Sequence, residues 1–340
     1  MYGLYQIVYF TIMDIFRTFK SPFFILVVFI IYYQYRQSTK MPFVATVNSI
    51  IFGVFGGLIA TVIFLYLQVY LVPMDFIYIL VITILLSLID TRFVCFAYGG
   101  SIVVLFNLIF GFPNIDSNDL MLLVAVLHIV EALLIIINGS HQCEISNFAI
   151  GFSDVGGYKF SRIWPLPLVL FIGDTMIKPI TIIALLNYGD FTISSYPKKK
   201  TMLSGITLFL YGIILLIITK QKISPFLPPL VAIIGHEFII QINKYREKTK
   251  IPLFSNPVEG IRVLAVKPGS IAKQLGISKG DIILKINDVI INDERDIMDI
   301  EAINLDGYKI RYFNIKRGII IKSYKGKRKT LGIITLPRAL

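Results

Sequence analysis

GIRVLAVKPGSIAKQLGISKGDIILKIND, residues 260–288, alternates short apolar runs with breakers spaced as a small sheet domain requires. Gly260–Val266 reads as a strand, and Lys267-Pro268-Gly269 ends it. Ser270 can accept a bond from an early helical N–H, which predicts a short helix over Ile271–Leu275. Gly276 supplies the left-handed residue that closes this helix. Lys279-Gly280-Asp281 turns the chain into a strand over Ile282–Ile286, and Asn287-Asp288 reads as a tight turn into Val289–Ile291. Asn292 or Asp293 can cap the next helix, where Ile297, Ile300 and Ile303 share one side. Strands at Tyr308–Asn314 and Gly318–Ser323 follow.

This order, and the Pro-Gly-Ser to Gly-Asp spacing above all, resembles the PDZ domains of bacterial membrane and protease-associated proteins. The resemblance implies a groove between one strand and one helix, to which an extended peptide adds as a further strand. PDZ domains mark the strand side with a hydrophobic-Gly-hydrophobic motif whose amides receive a terminal carboxylate. Ahead of Gly260 the chain offers only Pro252-Leu253-Phe254, without a glycine, whereas Leu331-Gly332-Ile333-Ile334 fits. We therefore expect a circularly permuted domain, with Leu331–Leu336 facing the helix Glu294–Ile303 and with Ile297 and Ile300 on the groove side. The alternative is an ordinary closing strand beside a vestigial groove.

The residues upstream have a different solvent. Of the 340 residues 56% are hydrophobic and 16% charged, with a mean hydropathy of +0.75, against about 25% charged in an average soluble chain. A span needs about 20 mainly apolar residues. Phe43–Tyr66, Phe93–Phe112, Leu120–Asn138, Pro167–Leu186 and Met202–Thr219 qualify. Pro22–Tyr33, Phe76–Ile89 and Phe226–Ile242 are weaker, the last because it holds Pro228, Pro229, His236 and Glu237. The expected fold is thus an α-helical polytopic membrane bundle of about eight spans, with six to eight as the range, followed by a small β-rich domain. Boundaries fall at 1–243, a juxtamembrane linker over 244–259, and 260–340. Residues 1–13 suit an interfacial amphipathic segment, and no small-residue cleavage site follows them, so the first helix is expected to be retained.

The net charge of +12 is concentrated in the tail, where the chain from Lys244 onward holds 20 Lys and Arg against 10 Asp and Glu. Lys198, Lys199 and Lys200, with Arg17 and Lys20, place the even-numbered loops in the cytoplasm, so the tail of this cell-membrane protein is expected to be cytoplasmic. Arg36, Lys40, Lys220 and Lys222 run against that rule. The basic run Lys322–Lys329 suits anionic headgroups, at about 1 kcal/mol per Lys or Arg, and no nucleic-acid module accompanies it.

Ionisable residues within apolar stretches are candidates for function. His128 and Glu131 lie three apart, and Asp174 and Lys178 four apart, spacings that share a helix face. Cross-linking of helices is the bland account of these pairs, and transport or proton relay the functional one. His236-Glu237 invites comparison with His-Glu-x-x-His metalloproteases, but position 240 is Ile, so the second ligand is missing. Cys95 and Cys143 have neither disulfide nor metal spacing, and no phosphate loop or nucleophile elbow occurs. No catalytic residue, metal or cofactor is expected. Gly53 and Gly57 form a small-xxx-small pair for packing within the chain or, alternatively, for self-association.

Leu127-His128-Ile129-Val130-Glu131, Asn138-Gly139, Val155-Gly156-Gly157-Tyr158, Ile163-Trp164-Pro165-Leu166-Pro167 and Gly235-His236-Glu237, in that order ahead of the PDZ stretch, resemble the MinJ-type family. These are polytopic membrane proteins of Gram-positive bacteria with a C-terminal PDZ domain. The resemblance spans roughly residues 120–340. It implies a scaffold in division-site placement that links DivIVA to MinC and MinD. The residues themselves support a membrane-anchored protein-binding module. A transporter with a regulatory PDZ domain and an adaptor for membrane proteolysis are the rival readings.

Overall fold

Three helices of the computed structural model are long and apolar enough to cross a bilayer: α3 (Pro42–Leu67), α6 (Ser117–Asn138) and α7 (Pro197–Gln221). The structure describes residues 4–70, 72–150, 153–172, 178–250, 252–255, 257–303, 307–314, 316–326 and 330–336. A fourth span is available if α1 (Leu4–Phe19) and α2 (Pro22–Ser38) count as one, though they bend by 65° at their junction. That break is local chemistry. Ser21 caps α2 by accepting from the Phe24 amide at 3.1 Å, and Pro22 occupies the first helical position, where its missing N–H costs nothing.

The expected eight spans are therefore corrected to three or four among the described residues, for separable reasons. α4 (Pro73–Ser87) and α5 (Phe96–Phe110) have 15 residues each, about 22 Å of helix against a hydrocarbon core of about 30 Å. α8 (Leu227–Thr249) is long enough but too polar to pass the same test. The fourth clear candidate, Pro167–Leu186, has no helix among its described residues. It contributes to the strands β2 (Ser153–Ile172) and β3 (Lys178–Thr192), which pair with each other.

The chain divides into two compact units, one of Met1–Cys143, Phe160–Asp190 and Pro197–Tyr245, the other of Glu144–Lys159, Phe191–Tyr196 and Arg246–Leu340. In the first, α6 is buried nearly all round, as a helix apolar on every face must be, and it packs most extensively on α7. Beside it, β2 must satisfy a backbone edge without water. Its residues of one parity do so in turn. The Ile163 amide donates to the Tyr35 hydroxyl at 3.0 Å, Pro165 and Pro167 have no N–H, and the Val169 amide donates to Thr61 Oγ1 at 3.1 Å. Two strand residues advance about 6.6 Å and four helical ones about 6 Å. Gly53, Gly57 and Thr61 of α3 therefore keep step with Pro165, Pro167 and Val169. A Cβ on Gly57 would lie 2.5 Å from the Pro167 carbonyl oxygen, and one on Gly53 would meet that of Pro165. The small-residue pair thus packs within the chain. Arg162, 1% exposed, anchors the strand by donating to Asn48 and Asn138, and Trp164 Nε1 donates to Asn138 at 3.1 Å.

The second unit holds β1 (Glu144–Ile150), which pairs antiparallel with the start of β2 from Glu144↔Lys159 to Ile150↔Ser153, and β4 (Phe254–Ser255), which pairs with Val155 and Gly156. Its main sheet runs β10-β5-β6-β8-β9, with β7 on β6. The strands are β5 (Ile261–Val266), β6 (Ile282–Ile286), β7 (Val289–Ile290), β8 (Gly307–Asn314), β9 (Gly318–Lys325) and β10 (Ile333–Thr335), with the helices α9 (Ile271–Gln274) and α10 (Glu294–Ile303). The turn chemistry is as the residues predict. Ser270 accepts from the Lys273 amide at 3.3 Å, Gly276 ends α9 at φ +75, and Asn287 and Asp288 turn at φ 50 and 67. Ile261, Val263, Ile271, Ile283, Ile286, Ile297, Ile310 and Leu331 are core. Ile303, expected on the apolar side of α10, is 79% exposed, because the helix ends there.

Candidate functional site

Strand β10 lies at one edge of the main sheet, antiparallel to β5 through Ile333↔Val266 and Ile334↔Ala265. The two residues that lead into it are held from three sides. The Lys267 amide donates to the Gly332 carbonyl at 2.8 Å, the Ala272 amide donates to that of Leu331 at 3.1 Å, and the Leu331 amide donates to Glu301 Oε1 of α10 at 2.7 Å. Gly332 has φ +68, and a Cβ there would collide with that of Ser270, so this position requires glycine twice over. Ile297 is buried in the core, with Ile300 and Ile333 half-buried against it. The residues Leu331, Gly332, Ile333, Ile334, Ile297 and Ile300 thus come together where a sheet edge adjoins a helix.

The framework behind the groove is braced by Asp281, which accepts from the Ser278 amide at 2.9 Å and from the Asn314 side chain at 2.7 Å. Burial pushes its carboxyl above the ordinary value of 3.8, and those two bonds hold the rise down. Lys279 lies over the rings of Tyr158, Phe254 and Tyr196 at 4.1, 4.8 and 5.1 Å, a cation–π cage that fastens the segments 144–159 and 191–196 to the rest of their unit.

The other candidates lie in the helical unit, and the fold regroups them. His128 is 1% exposed. Its Nδ1 meets the Val124 carbonyl at 2.6 Å and its Nε2 faces Cys95 Sγ at 3.3 Å. Glu131, its expected companion, makes no hydrogen bond or ion pair with a described residue. His236 instead comes to the other side of Cys95, with Nε2 to Sγ 3.6 Å. Glu237 takes an ion pair from Arg92 at 3.0 Å and hydrogen bonds from the Tyr98 hydroxyl and from Gln241 Nε2, each at 2.6 Å. The expected Asp174–Lys178 helical pair is corrected, since Lys178 opens a strand and Asp174 lies outside the described residues.

Comparison with known families matches residues 262–303, from β5 through α10, to the PDZ domain. No curated protein matches the chain. The protein therefore carries a PDZ domain in its β-rich C-terminal part, behind a helical part with several membrane-capable helices.

Proposed function

We propose, from the PDZ domain at residues 262–303, that this protein is a membrane-anchored adaptor that captures extended segments of other proteins between β10 and α10. The observation that carries the reading is the position of β10. It is an edge strand beside a helix, with the Leu331-Gly332-Ile333-Ile334 motif at its start, and peptides add to such edges by main-chain bonds while side-chain pockets select among them. The groove strand comes from the C-terminal side of the matched segment, which supports a permuted order. No reaction is assigned to the chain. A cytoplasmic place for the PDZ unit is supported by Lys198, Lys199 and Lys200 in the first turn of α7, directly after the segment 191–196 of that unit, since short basic loops favour the cytoplasmic side.

The test uses full-length protein in detergent against a library of peptides with free C-termini. Captured sequences are expected to share an apolar last residue and to lose about tenfold in affinity, roughly 1.4 kcal/mol, against Ile300→Lys. Absence of any shared ending, or equal affinity for the variant, would refute the groove. A finer reading, division-site placement with DivIVA and MinC/MinD as partners, draws on the MinJ-type order of motifs over residues 120–340. Enrichment at the septum favours it, and an even membrane distribution counts against it.

A further inference from the structure

Cys95, His128 and His236 converge from three separate elements, and their ligand atoms lie within 4.8 Å of one another. Cys95 is the N-cap of α5, and the other two stand on α6 and α8. From this convergence we propose that the helical unit binds one zinc ion through Cys95 Sγ, His128 Nε2 and His236 Nε2.

The hydrogen bonding around the three residues leaves lone pairs that a cation would satisfy. A backbone carbonyl only accepts, so the contact of His128 Nδ1 with Val124 O at 2.6 Å puts the imidazole proton on Nδ1 and leaves a lone pair on Nε2. The Tyr98 hydroxyl spends its proton on Glu237 Oε2 at 2.6 Å, so at 3.5 Å from His236 Nδ1 its oxygen is an acceptor. That contact puts the His236 proton on Nδ1 as well, and its Nε2 is a second lone pair. Both lone pairs aim at one sulfur, at 3.3 and 3.6 Å. A thiol has one proton and can serve one of them. The sulfur also accepts from the Ala97 amide at 3.4 Å. Three electron-pair donors thus face a common point.

The spacing suits zinc. With Zn–S of about 2.3 Å and Zn–N of about 2.05 Å at tetrahedral angles, sulfur and nitrogen stand about 3.5 Å apart, close to both observed separations. One thiolate with two imidazoles is a zinc-type donor set. Each histidine has its second nitrogen engaged, His128 by a carbonyl and His236 by the Tyr98–Glu237 pair, which is how metal-bound imidazoles are oriented. Three protein ligands leave a fourth position, and Glu131, one turn along α6, shares a helix face with His128.

Full-length protein in detergent, loaded with zinc and dialysed into metal-free buffer, tests the proposal by elemental mass spectrometry. One zinc per chain is expected, kept by Cys143→Ser and lost by Cys95→Ser. Cobalt in place of zinc should give a thiolate-to-metal charge-transfer absorption that Cys95→Ser abolishes. Tyr98→Phe leaves the three ligands and removes the partner of His236, so it should weaken zinc binding about 10–100-fold. Absence of zinc from the unaltered protein, a cobalt spectrum without the thiolate band, or equal zinc retention in Cys95→Ser overturns the proposal. Should Cys95→Ser fail to fold, the cobalt spectrum of the unaltered chain decides alone.

Discussion

Glu301 occupies, within the chain, the kind of position a ligand's carboxylate would seek. Its Oε1 accepts the Leu331 amide at 2.7 Å, and Leu331 opens the motif whose amides are proposed to receive a peptide terminus. A bond from an amide to a charged acceptor is worth about 1.5–3 kcal/mol net, and an incoming carboxylate must compete with it. Glu301→Ala should therefore bind C-terminal peptides more tightly, by about tenfold if roughly 1.4 kcal/mol is returned. Isothermal titration on the full-length protein measures this, and unchanged or weaker binding would make Glu301 a brace rather than a competitor. Gly332 shows the limit of legibility at this scale. The motif singles it out, but its positive φ and its closeness to Ser270 depend on a loop more than 60 positions away in the sequence.

At the scale of elements, the instructive misreading is Pro167–Leu186. Its apolar length suits a span, and hydropathy cannot separate a buried strand from a buried helix. Pro179 is the available signal, because a proline inside a helix removes a ladder bond, whereas Pro165 and Pro167 in β2 remove donors that would otherwise face α3 unsatisfied. The glycines of α3 complete the fit. Gly57→Val should cost about 1–3 kcal/mol, the usual range for overpacking, since the clash is with a backbone carbonyl that cannot rotate away. Gly189→Ala, where a Cβ meets nothing within 4 Å, should leave stability unchanged. Thermal melting of the two variants in detergent compares them, and equal melting temperatures would break the proposed registry of helix and strand.

For the whole molecule, the parity argument from eight spans no longer sets the side of the tail, and unit membership takes its place. Residues 191–196 and 246–340 belong to one compact unit, so a bilayer crossed by the helices would leave both segments on one side. A crossing by α7 then implies a return through α8, which is long enough at 23 residues, about 34 Å, although its polar residues keep it out of the membrane-capable helices. Single cysteines at Tyr196 and Val258 should react with an impermeant reagent from one side of the membrane, and one at Lys222 only from the other. Labelling of Lys222 from the same side as Val258 would mean that the two helices do not cross. The metal-binding trio has the same origin as this pairing, for His128 and His236 stand 33 and 141 residues from Cys95, and no local spacing connects them. Caps, turns and the order of elements in the PDZ unit were determined by sequence alone, because each rests on backbone groups and residues within a few positions of one another. Which apolar stretches became strands, which polar residues met, and which segments joined the tail were decided only in the tertiary structure. Burial and ligand geometry depend on whatever distant residues exclude water from the same point.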